Sequence, residues 1–233
     1  MNEQRVRRLV GLSFILGAIL INVPYFILIA SFDYPDILRE PTEVILTRFQ
    51  AGGSSLILTW LAFAWVGLPL LFAIGMLPRV LARADIPYLG IATAIGIAGM
   101  IVQMVGLLRW VFVVPVLAQM YVDPSSTESI RAAVTVVFQA VHQYGGVVMG
   151  EHLGYAFTGA WSVLAGVAST QSSALPSALG LIGIVIGAAL VLCSLEFVGP
   201  HERDGWRFAE RLTPIAYIAW SLWLIATGIA LVT

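Results

Sequence analysis

The sequence predicts an all-α integral membrane bundle of about six transmembrane helices, the third and fourth extended as an antiparallel hairpin. Three observations predict it. Only 11% of the 233 residues are charged and 59% are hydrophobic, where a soluble domain carries about 25% charged residues. The uncharged residues come in long blocks: Leu9–Ala30 holds 22, Ala51–Leu77 holds 27, Ile86–Leu108 holds 23, Leu153–Leu195 holds 43 and Leu212–Thr233 holds 22. A spanning helix needs about 20, so the longest block is read as two helices joined by a neutral turn. Finally, the apolar stretches on either side of Asp123–Glu128 are each far longer than a bilayer requires.

The elements follow in order. The first span is predicted over Arg8–Ser31. Its apolar run is too long for a signal core and contains Asn22 and Pro24, so it is read as a retained helix. An acidic loop with Asp33, Asp36, Glu40 and Glu43 follows, with a short amphipathic turn near Thr42–Phe49. The second span covers Gly52–Leu77, and a link from Pro78 to Pro87 carries Arg79 and Arg83. Pro87 suits the first turn of the third helix, which runs to Val122 with a bend at Pro115. Ser125, three residues before Glu128, has the spacing of a capping box. The fourth helix is predicted over Ser129–Ala168, with a kink at Gly145-Gly146. A neutral turn at Ser169–Ser173 and Pro176 leads to the fifth span, Ser177–Phe197. After the charged loop Gly199–Arg211, Thr213-Pro214 supplies a cap and first-turn proline for the sixth. No linker divides the chain, which reads as one transmembrane domain over residues 1–233.

Composition excludes several kinds of chemistry. All twelve basic residues are arginine, so no lysine is present for a Schiff base or a Walker A loop. Cys193 is the only cysteine, which rules out an internal disulfide and a covalent c-type haem motif. The formal net charge of −1 argues against nucleic acid as a partner. No cofactor is expected.

Ionisable groups at membrane depth cost several kcal/mol unless paired, and so mark candidate sites. Here they are Arg109 on the third helix and His142, Glu151 and His152 on the fourth. Folding the hairpin about residue 126 places Arg109 level with His142 and Gln143, and Glu151 near Gln103. The expected contact is an Arg109–Glu151 ion pair, either structural or part of a ligand or proton site. Gly146, Gly150 and Gly154 form a small-residue ladder, with Gly106 level with Gly146, and such ladders let helices approach closely in lipid. Gly183 and Gly187 are read as packing. A metal site is not expected, because histidines ten apart on a helix differ by about 80° around its axis, and His201 lies in a loop. Trp110, Trp206 and Tyr121 are assigned to an interfacial belt, and Trp60, Trp65 and Trp161 to packing.

Placing the N-terminus in the cytoplasm puts Arg5, Arg7, Arg8, Arg79 and Arg83 inside, and Arg39, Arg48, Arg131, Arg203, Arg207 and Arg211 outside. That count does not discriminate, so the basic flank of the first helix decides the orientation, with both termini cytoplasmic.

Arg109-Trp110-Val111-Phe112, Tyr121-Val122-Asp123-Pro124, Gly150-Glu151-His152-Leu153-Gly154, Thr213-Pro214-Ile215-Ala216-Tyr217 and Trp220-Ser221-Leu222-Trp223 together resemble a bacterial membrane family, domain of unknown function 4386. The resemblance covers nearly the whole chain. It implies a multi-pass protein of the bacterial inner membrane and brings no activity with it. The sequence alone therefore favours binding of a small molecule, lipid or partner through the cluster between the third and fourth helices. The alternatives are a membrane-embedded enzyme using Glu151 and a neighbouring histidine as acid and base, and a transporter, for which no repeat is visible.

Overall fold

The computed structural model describes residues 2–81, 86–201 and 205–233; Arg83 and Arg203, which entered the orientation argument, lie outside them. Every regular element among the described residues is helical. Among the described residues, five helical stretches are long and apolar enough to cross a bilayer: Glu3–Phe32, Thr42–Leu81, Leu89–Val122, Glu128–Thr170 and Arg207–Val232. Ser177–Cys193 is a shorter apolar helix of 17 residues, and with it the count reaches the six that the uncharged blocks predict.

Helix α1 (Glu3–Phe32) runs unbroken through Pro24 and begins before the expected Arg8. The second stretch is two helices, α2 (Thr42–Trp65) and α3 (Leu68–Leu81). The expected short turn over Thr42–Phe49 is the first part of α2, bent at Gly53, whose φ of 54° and ψ of −150° suit only glycine. Helix α3 also passes through Pro78, which was expected to start the link.

Helix α4 (Leu89–Phe112) starts two residues after Pro87, so that proline precedes the helix rather than sitting in its first turn. The bend predicted near Pro115 falls at Val113, and α5 (Val114–Val122) follows with Pro115 in its first turn. A proline there lacks the N–H that would continue the ladder, and its ring crowds the preceding turn.

Thr127, not Ser125, caps α6 (Glu128–Val141) by accepting from the Ile130 N–H. Ser125 instead donates to Asp123 through its backbone N–H at 2.7 Å and its hydroxyl at 2.6 Å. The Ser125 hydroxyl first, and its N–H second, hold the Asp123 carboxyl below the ordinary carboxylate range.

The predicted kink at Gly145-Gly146 is replaced by a π-helix over His142–Leu153, twelve residues long, before α7 (Gly154–Thr170). Helix α8 (Ser177–Cys193) ends four residues short of Phe197. Helix α9 (Arg207–Val232) starts well before Thr213, leaving Pro214 inside it. Thr213 is no cap; its hydroxyl bonds back to the Ala209 carbonyl at 2.9 Å.

The chain divides into two compact units. The first comprises Met1–Ile19, Gly67–Val102 and Glu151–Thr233, and the second Leu20–Val66 and Gln103–Gly150. Close glycine crossings hold the first together. A Cβ built on Gly159 would come 2.5 Å from the Gly187 carbonyl oxygen, and one on Gly187 equally close to that of Gly159. Gly166 and Gly180 form a second such pair at 2.6 Å, and Gly183 makes room for the Trp223 ring. The packing role assigned to Gly183 and Gly187 is therefore what they have. Trp220 donates to Ser162 at 3.0 Å and Trp223 to the Leu179 carbonyl at 2.8 Å. Near the chain ends, Arg7 donates to the carbonyls of Ala174 and Ala230 at 3.2 and 3.0 Å.

Candidate functional site

The interior of the second unit is built from aromatic side chains. Phe32, Phe49, Trp60, Trp110 and Phe138 are each at most 2% exposed and belong to one cluster. Helix α4 delivers Arg109 and Trp110 into it just before the break at Val113. Trp110 stacks on Trp60 of α2 with centroids 4.9 Å apart and planes 10° from parallel. Phe32 meets Trp110 edge-on at 5.5 Å and 79°, a favoured aromatic geometry. The interfacial role assigned to Trp110 is thus wrong: it is fully buried, held by its stacking partner. Trp60 and Trp161 are buried as expected, while Trp65, read as packing, is 57% exposed.

Arg109 is 8% exposed. Its guanidinium carbon lies 5.2 Å from the Trp110 ring centroid, where the ring quadrupole attracts a cation. One of its terminal nitrogens donates to the Gly106 carbonyl. The facing π-helix makes space for the charge. A Cβ on Gly146 would come 2.6 Å from Nη2 and 2.9 Å from Cζ of Arg109, and one on Gly145 would be 3.4 Å from Cδ. The two helices touch most closely at Gly106, where a Cβ would lie 2.7 Å from the Gly145 carbonyl oxygen and 2.9 Å from the Gly150 Cα. Gly150 itself has room, its nearest neighbour for a Cβ being 3.6 Å away. The close approach expected of the ladder therefore belongs to Gly106.

Gly106, counted as level with Gly146, is bracketed by the Gly145 carbonyl and Gly150, and the Arg109 side chain reaches along the same face to Gly146.

His142 opens the π-helix. Its ring stacks on Phe138 at 5.5 Å and 22°, and meets Trp110 edge-on at 6.4 Å and 79°. Arg109 and His142 are thus gathered around a single indole. Among the described residues, His142 Nδ1, Trp60 Nε1 and Trp110 Nε1 are buried without a hydrogen-bond partner in the protein. Gln103 belongs to the same unit and is half-buried. It stands six residues before Arg109, about 120° around the helix from it.

Glu151 and His152 fall in the first unit, and both are half-buried. His152 Nδ1 lies 2.7 Å from the Ser194 carbonyl oxygen at the end of α8. A carbonyl only accepts, so Nδ1 carries a proton and donates it. This bond ties the last turn of the π-helix to α8.

All three ionisable residues singled out on the fourth helix lie within the π-helix. Its i→i+5 hydrogen bonding is rare and is often found at functional sites. The sequence reading missed Trp60 and Phe138 as parts of the site. The available signal was the Arg109-Trp110 pair inside an apolar helix, because a buried cation needs an electron-rich neighbour.

The family model for domain of unknown function 4386 matches residues 9–228. The chain belongs to that family. No curated protein and no solved structure matches it. The family region takes in both units, the π-helix and every residue of the aromatic cluster, and the protein is a multi-helix membrane member of it.

Proposed function

We propose that this membrane protein binds a small molecule or lipid at the cluster around Trp110, through Arg109 and His142. The observation that carries the reading is the nearly complete burial of Arg109 in a slot that Gly145 and Gly146 leave for it. Keeping a guanidinium in an apolar interior costs several kcal/mol before its contacts compensate. A leucine at this position would fill an aromatic core without that cost. The π-helix adds weight, since it departs from regular helix at the segment that faces the charge.

The setting we infer is the bacterial inner membrane, with both termini cytoplasmic. The membrane follows from the family resemblance. The sidedness rests on Arg5, Arg7, Arg8 and Arg79. Arg7 bonds Ala230 near the end of α9, and Ser172, beside Ala174, donates to Leu81 at the end of α3. These arginines therefore sit at one end of the first unit, and basic ends face the cytoplasm.

The test is native mass spectrometry of the protein purified in mild detergent from its host membrane. The wild type should carry a retained molecule, and Arg109→Gln should lose at least about nine-tenths of it, a change of about 1.4 kcal/mol in binding. Gly146→Ala, which crowds the guanidinium while keeping its charge, should weaken retention less. Circular dichroism shows whether each variant is folded. A wild type with no adduct, or a folded Arg109→Gln variant with an undiminished one, would overturn the proposal.

A further inference from the structure

We infer that the ligand of the Arg109 cluster is an anion with acceptor oxygens, a carboxylate or a phosphate, held by the indole N–H groups of Trp60 and Trp110 together with Arg109. This rests on the binding site proposed above and names the chemistry of its occupant. The argument starts from hydrogen-bonding capacity. An indole nitrogen only donates, and a guanidinium only donates. Trp60 and Trp110 are each 0% exposed, and their Nε1 atoms have no partner in the protein. Leaving a buried donor unsatisfied costs roughly 1–3 kcal/mol, so two in one aromatic cluster mark a place built for an acceptor.

The three donors share one neighbourhood. The Trp60 ring centroid lies 4.9 Å from that of Trp110, and the Arg109 guanidinium carbon lies 5.2 Å from the same ring. His142, edge-on to Trp110 at 6.4 Å, has a buried and unpartnered Nδ1. Its tautomer with the proton on Nδ1 adds a fourth donor. A cationic or donor-rich ligand would find little to accept from it in the two indoles, whereas an anion with acceptor oxygens meets each of these donors favourably. Two indoles of the other unit, Trp220 and Trp223, both donate to oxygen.

The experiment follows the indole N–H resonances of protein carrying nitrogen-15 tryptophan, in nanodiscs of phosphatidylcholine. Trp60→Phe and Trp110→Phe assign two of the signals. Three probes are added in separate arms: sodium acetate, inorganic phosphate and phosphatidylglycerol. The Trp60 and Trp110 signals should move downfield and saturate with at least one probe, and that response should vanish in Arg109→Gln. The Trp220 and Trp223 signals, already hydrogen-bonded, should stay in place. A response to acetate or inorganic phosphate identifies a soluble anion, and a response to phosphatidylglycerol alone identifies a lipid headgroup; either supports the inference. Signals of Trp60 and Trp110 that ignore all three probes overturn it, as does an equal shift of all four indoles. An Arg109-dependent adduct in mass spectrometry with unmoved indole signals would leave the binding site standing and remove only the anion.

Discussion

In the unit containing α7, α8 and α9, glycines meet glycines and the indoles of Trp220 and Trp223 donate to oxygens; in the unit containing α2, α5 and α6, aromatic rings fill the interior and two indoles donate to nothing in the protein. Gly159 against Gly187 and Gly166 against Gly180 bring backbones together, which is how helices gain packing energy where lipid offers no hydrophobic drive. The second unit has one comparable crossing, at Gly106, and beside it a buried arginine and a π-helix. Both interiors hold buried polar atoms without a hydrogen-bond partner in the protein, Tyr88 Oη and Thr227 Oγ1 in the first and Trp60 Nε1, Trp110 Nε1 and His142 Nδ1 in the second. In the second they gather around one stacked indole pair, and that clustering is the reason for placing the site there.

The largest expected effect tests the glycine crossings in both units. A methyl at Gly187 would meet backbone at 2.5 Å, and one at Gly106 at 2.7 Å. Neither neighbour is the free end of a side chain, so each alanine must push helices apart, at a cost of about 1–3 kcal/mol. Thermal unfolding in detergent should show both variants clearly destabilised, with Gly187→Ala lower. Gly150→Ala, whose methyl has ordinary contact distances, should unfold close to wild type. A neutral Gly106→Ala would mean that the π-helix yields, and the two units would then differ in rigidity as well as in chemistry.

How far this contrast could be read in advance depends on the kind of signal each feature leaves. The spans were legible because an uncharged block of 22 residues or more matches the thickness of a bilayer and suits little else. The break before Pro115 was read from its proline, yet Pro24, Pro78 and Pro214 stand inside continuous helices, so proline alone does not fix a break. The π-helix was not, since the same residue types serve i→i+4 and i→i+5 bonding, and Gly145-Gly146 reads equally well as a kink. Pro214 misled because proline suits a first turn, yet α9 passes through it. Trp110 was assigned to the membrane interface on residue type and nearby charge. Only the stacking of Trp60, fifty residues earlier in the chain, shows it to be interior. Arg109 and His142 were found from charge at depth. What sequence could not supply was the slot that Gly145 and Gly146 leave for the Arg109 side chain.

An intermediate effect separates the indoles themselves. Trp220→Phe removes a hydrogen bond to Ser162, whereas Trp60→Phe removes none within the protein. Both shed similar volume from a buried position, so the packing losses largely cancel in the comparison. Trp220→Phe should be the more destabilising by about 1 kcal/mol, the net worth of one such bond. Denaturation of the two variants without added anion measures the difference. With an anion bound the gap should narrow, because Trp60→Phe then loses a bond as well.

The smallest effects concern an arginine from each unit. Arg7 donates to two carbonyls, one at the end of α9, where the helix dipole favours a cation. Arg48 pairs with Asp33 at 3.3 Å, with side chains 53% and 67% exposed. Water screens that second pair, and holding two mobile side chains together offsets much of its attraction, leaving well under about 1 kcal/mol. Arg7→Ala should therefore lower the unfolding temperature more than Arg48→Ala. The two should also respond differently to salt. Raising it from about 0.05 to about 1 M shortens the screening length from over 10 Å to about 3 Å, so whatever Arg48 contributes should disappear. The Arg7 contribution should largely persist, because its carbonyl bonds are part-buried. Equal salt sensitivity would mean that Arg7 acts as a surface charge and does not fasten the start of α1 to the end of α9.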